Sequence, residues 1–247
     1  MRQLLLVRHG ESRWNAEGRI QGQSCAGLSA RGFEQARALA AAYGPQLAEL
    51  AASGRLRLVS SDLRRARETA APLAAQLGLD PALDPDLRER AFGVWEGRSH
   101  AELEVEEADR WRRWTGGADI MREIGAETAE ELATRAAAAL RRVFEATAAG
   151  GVSVVVSHGG SIWHGLHRLL GLAPRSLGPV GNASVATLLL LGGDAAGEAD
   201  PHVAAAAAAG GSRPVLASYN DLSHLPASLR TGGFTAGART DAVPQMR

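Results

Sequence analysis

The chain has 247 residues, and its 27 basic residues are all arginine, balanced by 27 acidic ones. A lysine-free chain has no Schiff-base lysine for a carbonyl substrate or pyridoxal phosphate, and no phosphate-loop or kinase lysine. Zero formal charge argues against nucleic acid or an acidic membrane as the main partner, and the single cysteine, Cys25, excludes an internal disulfide framework and suits a reducing cytosol. Any anion must be met by arginine, histidine, polar side chains or backbone N–H groups. Met1–Val7 runs straight into charged residues and no apolar run is long enough for a membrane span, so a cytoplasmic protein is expected.

In chain order, the apolar run Gln3–Val7 predicts a buried parallel strand that stops at Arg8-His9-Gly10. Leu28–Tyr43 predicts a helix with Ser29 as its cap and Gly44-Pro45 as its end. Leu56–Ser60 predicts a strand and Arg64–Leu77 a helix, with Ser61 or Asp62 as the cap and Gly78 as the stop. Pro81–Leu87 reads as extended and Arg88–Arg98 as a loop. Helices are expected over Ser99–Trp114 and Glu127–Ala148, separated by the stretch Thr115–Ala126.

Val152–Val156 predicts a further strand, ending at Ser157-His158-Gly159-Gly160, and Ser161–Leu170 a helix. Val185–Leu191 and Pro214–Tyr219 read as the last strands. The Gly/Ala-rich stretch between them, roughly 192–213, reads as a flexible insertion. Alternation of strands and helices predicts an α/β three-layer αβα sandwich with a mostly parallel central sheet. One domain over 1–225 is expected, with a helical cap at roughly 99–126 and a mobile tail at 226–247.

In open α/β sheets, ligands bind beyond the carboxyl ends of the strands. Three strand ends here carry chemistry: Arg8-His9, then Ser60-Ser61-Asp62 with Arg64 and Arg65, then Ser157-His158-Gly159. Two histidines, two or more arginines and the N-terminal N–H groups of the helix after Gly159 make a site for a compact anion. His164 and His167 are the remaining metal-ligand candidates, and helix packing explains them more simply. Cys25 to Arg31 fits the Cys-x5-Arg spacing of cysteine-dependent phosphatases, but it follows the polar run Gln21–Ser24 rather than a buried strand.

The strand-end motifs also carry a resemblance. Leu6-Val-Arg-His-Gly-Glu-Ser-Arg-Trp-Asn15 resembles the opening motif of the histidine phosphatase superfamily, which includes cofactor-dependent phosphoglycerate mutases. Gln21-Gly22, Ser61-Asp-Leu-Arg-Arg-Ala-Arg-Glu-Thr-Ala70, Leu87-Arg-Glu-Arg-Ala-Phe-Gly-Val-Trp-Glu-Gly97, Val156-Ser-His-Gly-Gly160 and Asn220-Asp-Leu-Ser-His-Leu225 follow in the family's order. The resemblance implies that His9 is the nucleophile, that Arg8, Arg65 and His158 bind the transferred phosphoryl group with Asn15 helping, and that Glu89 is the proton donor. It selects Arg65 over Arg64, because the family's arginine directly precedes the alanine of this block. Gln21 and the backbone of Gly159 become supporting contacts. At Cys25 and Gly27 the chain departs from the family, where an aspartate and a proline commonly stand.

The residue types suit that chemistry. A neutral imidazole is a competent nucleophile near pH 7, guanidiniums stabilise the oxygens of a phosphoryl group in transfer, and one carboxyl can protonate a leaving alkoxide and then activate water. No metal and no cofactor is called for. The short interval from Glu89 to His158 and the Phe92-Gly-Val-Trp-Glu-Gly97 string resemble the phosphatase branch, so a metal-independent phosphatase acting on a small phosphorylated metabolite is expected. Phosphoglycerate mutase is the alternative, and a catalytically silent binder of phosphorylated ligands is a third. Arg110, Trp111, Arg112, Arg113 and Trp114 either hold the leaving group or pack and solvate the cap. Dimers are common in the family, so a homodimer is a further expectation that no residue pattern here locates.

Overall fold

The computed structural model describes residues 1–24, 26–190 and 214–231. The readings made for Cys25 and for the 192–213 insertion fall outside them, as does the tail beyond 231. Strands β1 (Arg2–Arg8), β2 (Leu56–Ser60), β3 (Ala82–Leu83), β4 (Val152–Ser157), β5 (Val185–Leu190) and β6 (Val215–Asp221) form one sheet in the order β3-β2-β4-β1-β5-β6. The pairs from β3 to β1 are parallel, while β1–β5 and β5–β6 are antiparallel. The mostly parallel αβα architecture is therefore the one observed.

Period-two alternation sorts the central strands onto two faces. Leu5, Val7, Leu58, Val154 and Val156 pack with Leu39, Leu47 and Leu73 from α2 (Ala30–Ala52) and α3 (Arg64–Leu77). Leu4, Leu6, Val59 and Val155 point the other way, onto Leu140, Phe144, Ile162 and Leu166 from α6 (Ala129–Glu145) and α7 (Gly159–Leu170). The remaining helices are α1 (Arg13–Ala16), α4 (His100–Glu106) and α5 (Ala108–Thr115). One buried polar position on β4, Ser153, is satisfied by the Thr147 hydroxyl at 2.8 Å.

Three expected boundaries are corrected. Helix α2 does not end at Gly44-Pro45 but runs through it to Ala52. Pro45 removes one backbone donor, yet Leu47 is buried against the sheet and Leu50 and Ala51 pack beside it. Gly44 is a point of close approach, since a Cβ there would lie 2.3 Å from the Gln76 side chain of α3. The cap of α3 is Leu63, with no side-chain cap bond; Ser61 Oγ accepts from its N–H instead.

The third correction lies in the cap. The expected helix over Ser99–Trp114 is two helices, broken at Glu107 (φ −126°, ψ 39°). Glu107 turns its carboxylate inward and accepts from the Nε1–H of Trp95 at 3.0 Å and from Arg98 at 2.8 Å. Trp95 is fully buried, and its indole N–H has to find an acceptor. Ile20, Leu103, Ile120, Met121 and Ile124 complete this small cluster, with Trp111 and Trp114 packed against it.

Candidate functional site

The parallel neighbours β2, β4 and β1 end level with one another: Arg8 pairs with Ser157 and Ser60 with Val156. The residues that follow, Ser61, His158 and His9, therefore arrive side by side at one edge. Strand β5 runs the opposite way, with Val185 opposite Val7, so the residues before β5 reach this same edge. All of this is buried: His158 is 0% exposed, Arg65 1%, His9 2% and Arg8 8%.

His9 and His158 face each other with ring centroids 5.2 Å apart. The Nδ1 of His9 lies 2.6 Å from the carbonyl of Gly10. A carbonyl only accepts, so Nδ1 carries the proton and Nε2 presents its lone pair. The Nε–H of Arg65 is shared between that Nε2 at 3.3 Å and His158 Nδ1 at 3.1 Å. With Nδ1 accepting, His158 carries its proton on Nε2, 2.9 Å from Ser61 Oγ. The other Arg65 nitrogens donate to the carbonyls of Ser24 (3.0 Å) and Gly22 (2.7 Å), which orients the guanidinium. Its neighbour Arg64 points outward and pairs with Glu68 at 2.6 Å.

Burial, reinforced by Arg65 and Arg8, holds His9 well below the ordinary imidazole range, against an opposing pull from the Gly10 carbonyl. Burial and Arg65 do the same to His158. Both rings are neutral at physiological pH. Burial pulls Arg8 down to about 10, with Glu89 opposing and Arg65 reinforcing that shift, so Arg8 stays charged. The site thus sets a neutral imidazole beside two buried guanidiniums.

Glu89 stands across the site on the loop after β3. Its Oε2 accepts from the Gly160 N–H at 2.9 Å and its Oε1 from the Arg90 N–H at 2.9 Å. The loop is held from behind by Arg135 on α6, which donates to the carbonyls of Asp86 (2.7 Å), Arg88 (3.0 Å) and Glu89 (3.4 Å) and pairs with Glu127. It is held from the front by Glu96, whose carboxylate takes the N–H groups of Gln23, Ser24 and Phe92. Arg88 pairs with Asp62 and so ties the β2 strand end to the same loop.

The structure thus brings His9, Arg8, Arg65, Glu89 and His158 together. Gly159 opens α7 beside them, and a Cβ there would lie 3.3 Å from Arg8 Nε. Ser12 caps α1 by accepting from the Asn15 N–H, and Asn15 Oδ1 accepts from the Ser12 N–H in return. Gln21 is one step further out, accepting from Ser12 Oγ at 2.7 Å. His164 accepts from Arg90 at 3.1 Å, and His167 stacks on Trp163 with its Nδ1 on the Trp163 carbonyl. Among the described residues no group of three or more His, Cys, Asp or Glu side chains is placed to hold a metal ion. No helix among them is long and apolar enough to cross a membrane.

Two residues in contact with the site histidines escaped the sequence reading. Ser61, noted only as a strand-end residue or helix cap, is the partner of His158. Asn182 was not singled out at all, yet it is 1% exposed and donates to the His9 carbonyl at 3.2 Å. The polar string Gly181-Asn182-Ala183-Ser184 before an apolar strand was the available signal, but it points to the site only once β5 is known to be antiparallel.

Residues 4–197 match the model of the histidine phosphatase superfamily (branch 1). A probable phosphoglycerate mutase GpmB of Enterobacter sp. (strain 638) is 40% identical over 174 residues, covering 70% of this chain and 76% of its own length. Among solved structures, a mycobacterial glucosyl-3-phosphoglycerate phosphatase in complex with VO3 superposes with a TM-score of 0.69 at 29% identity, covering 89% of this chain and 99% of that one. A phosphoserine phosphatase mutant of Entamoeba histolytica, in complex with phosphoserine, gives 0.67 at 26% identity, with 92% and 100% covered.

Proposed function

The chain belongs to the histidine phosphatase superfamily and is an enzyme of its phosphatase and phosphoglycerate mutase-like class; on that premise we propose that it hydrolyses small phosphomonoesters through a phosphohistidine on His9, without a metal. The observation that carries the proposal is the His9 ring itself. It is neutral, pinned at Nδ1 by the Gly10 carbonyl, and turns the Nε2 lone pair toward the Arg65 guanidinium, with the His158 ring beside it.

In the first step the Nε2 lone pair forms a bond to phosphorus and the bond from phosphorus to the ester oxygen breaks. Glu89, in its acid form, gives that oxygen its proton and the alcohol leaves. The phosphoryl oxygens take over the Arg65 Nε–H now shared by the two imidazoles and meet the buried Arg8 guanidinium and the His158 ring beside it. Glu89, now a carboxylate, accepts a proton from water as its oxygen attacks phosphorus. The P–N bond breaks, its electron pair returns to Nε2, and inorganic phosphate departs.

Mutase activity is the second reading, favoured by the curated relatives named probable phosphoglycerate mutase. Hydrolysis is supported by the cap. Arg110 and Arg113 pair with Glu123, Arg112 with Asp109 and Arg122 with Glu131, so the cap's arginines lie among balancing acids rather than forming an uncompensated basic patch for a second phosphate. The two readings separate in one assay on 3-phosphoglycerate, with and without bisphosphoglycerate. Hydrolysis predicts stoichiometric phosphate release. Interconversion to 2-phosphoglycerate with little release would reverse the assignment. An acid-labile phosphoenzyme, present in the wild type and absent in His9→Ala, tests the intermediate.

A further inference from the structure

The residues just before β5 form a turn that touches Arg8, His9 and Asn15. The Val180 carbonyl accepts from Arg8 at 2.5 Å. The Ala183 N–H donates to the His9 carbonyl at 3.1 Å. Asn182 Nδ2 donates to that carbonyl at 3.2 Å and to Asn15 Oδ1 at 3.3 Å. Asn182 Oδ1 in turn accepts from the Thr231 hydroxyl at 3.1 Å.

The turn has an unusual backbone. Ala183 sits at φ 55°, in the left-handed region that a residue with a Cβ rarely adopts. That conformation is strained and persists where surrounding contacts over-determine it. Here they do: Asn220 Oδ1 accepts from the Gly181 N–H at 2.6 Å and the Ser184 hydroxyl donates back to the Gly181 carbonyl at 2.8 Å. Asn220, itself at φ 54°, belongs to the end of β6. The turn is thus held rigidly by the antiparallel half of the sheet while it grips residues of the parallel half.

We propose that Asn182 is a positioning residue for phosphoryl transfer. It does not contact the reacting atoms. It sets the height of the His9 backbone, and with it the ring, relative to Asn15, and Thr231 fixes the Asn182 amide so that both its N–H groups point inward. No acidic or apolar residue can replace it, because the position requires two donors and one acceptor in a fully buried place. The inference rests on the phosphohistidine reading for its consequence, though the contacts stand by themselves.

The test compares wild type with Asn182→Ala. Single-turnover release of nitrophenolate from para-nitrophenyl phosphate by excess enzyme reports transfer to His9, and calorimetric titration with inorganic phosphate counts competent sites. Positioning predicts transfer slowed about 10–100-fold, the loss expected for a displacement of about 1 Å, with the number of competent sites kept. A purely structural role would lower the number of sites and leave the rate per site within twofold, which overturns the proposal. Should Asn182→Ala fail to fold, Thr231→Val leaves Asn182 in place and frees its amide to turn. It is expected to slow the same step about threefold or more, on the strength of one hydrogen bond, and an unchanged rate overturns the proposal. A wild type that releases nitrophenolate yet never carries phosphate on His9 would defeat the phosphohistidine reading while leaving the Asn182 comparison readable.

Discussion

The Glu89 carboxylate is seated against the backbone of Gly160: one oxygen accepts its N–H at 2.9 Å, and a Cβ on Gly160 would stand 2.3 Å from the other oxygen. The absence of a side chain at the second residue of α7 is therefore what lets the acid reach the site. Gly160→Ala is expected to displace a side chain and little else. The predicted result is a fall in kcat of about 100-fold, close to that of Glu89→Gln. Thermal unfolding should stay within a few degrees of wild type, because the displaced atom ends a flexible side chain. A Gly160→Ala enzyme with full kcat would show that Glu89 does not act from this seat.

The second prediction concerns the back of the acid loop. Arg135 donates to three loop carbonyls and pairs with Glu127, both side chains being mostly buried (20% and 15% exposed). Arg135→Gln should cost about 2 kcal/mol, since it leaves Glu127 and the carbonyls short of donors. Arg135→Gln combined with Glu127→Gln should cost less than the sum of the two single changes. Chemical denaturation of the four proteins measures this coupling, and strict additivity would contradict the arrangement.

Stability should also depend on pH through the buried histidines. His9 and His158 lie well below the ordinary value, and burial, with Arg90 beside it, brings His164 down to about 4. A histidine with a lowered folded-state pKa binds protons more readily when unfolded. Its contribution is fully present above about pH 6.5 and is lost as pH falls through the folded value. Stability should therefore decline from pH 6.5 toward pH 4. His164→Gln keeps an acceptor for Arg90 but cannot titrate, and should remove about 3 kcal/mol of that decline. Unfolding free energies that stay level from pH 7 to 4 would be inconsistent with neutral buried rings.

A fourth prediction tests the joint between acid loop and cap. Gly93 has φ 55°, and a Cβ there would lie 1.9 Å from the carbonyl oxygen of Ile124. The obstacle is backbone, which cannot swing aside. Gly93→Ala should destabilise the protein by about 3 kcal/mol, from overpacking together with left-handed strain. Urea unfolding monitored by the fluorescence of Trp95 and its tryptophan neighbours reads it directly.

Much of this molecule is legible one segment at a time. A buried parallel strand is an apolar run, so the polar residues that end it are conspicuous. Arg8-His9, Ser61 and Ser157-His158 stand out for that reason, and parallel neighbours must deliver them to a common edge. The choice of Arg65 over Arg64 is harder. Adjacent helix positions face about 100° apart, and only the packed α3 shows that Arg65 turns inward while Arg64 meets Glu68.

What the amino-acid order determined by itself is thus local: strands by hydrophobicity, strand ends by polarity, and the histidine, arginine and glutamate chemistry by motif. What only the tertiary structure decided is non-local. Pro45 stays inside α2 because the packing of Leu47 and its neighbours outweighs one missing donor. The helix over the cap breaks at Glu107 because the buried Trp95 indole needs an acceptor. Asn182 joins the site because β5 runs antiparallel to β1, which reverses the strand end that reaches the catalytic edge. Strand direction and the partners of buried polar groups are properties of the assembled sheet, and no window of sequence contains them.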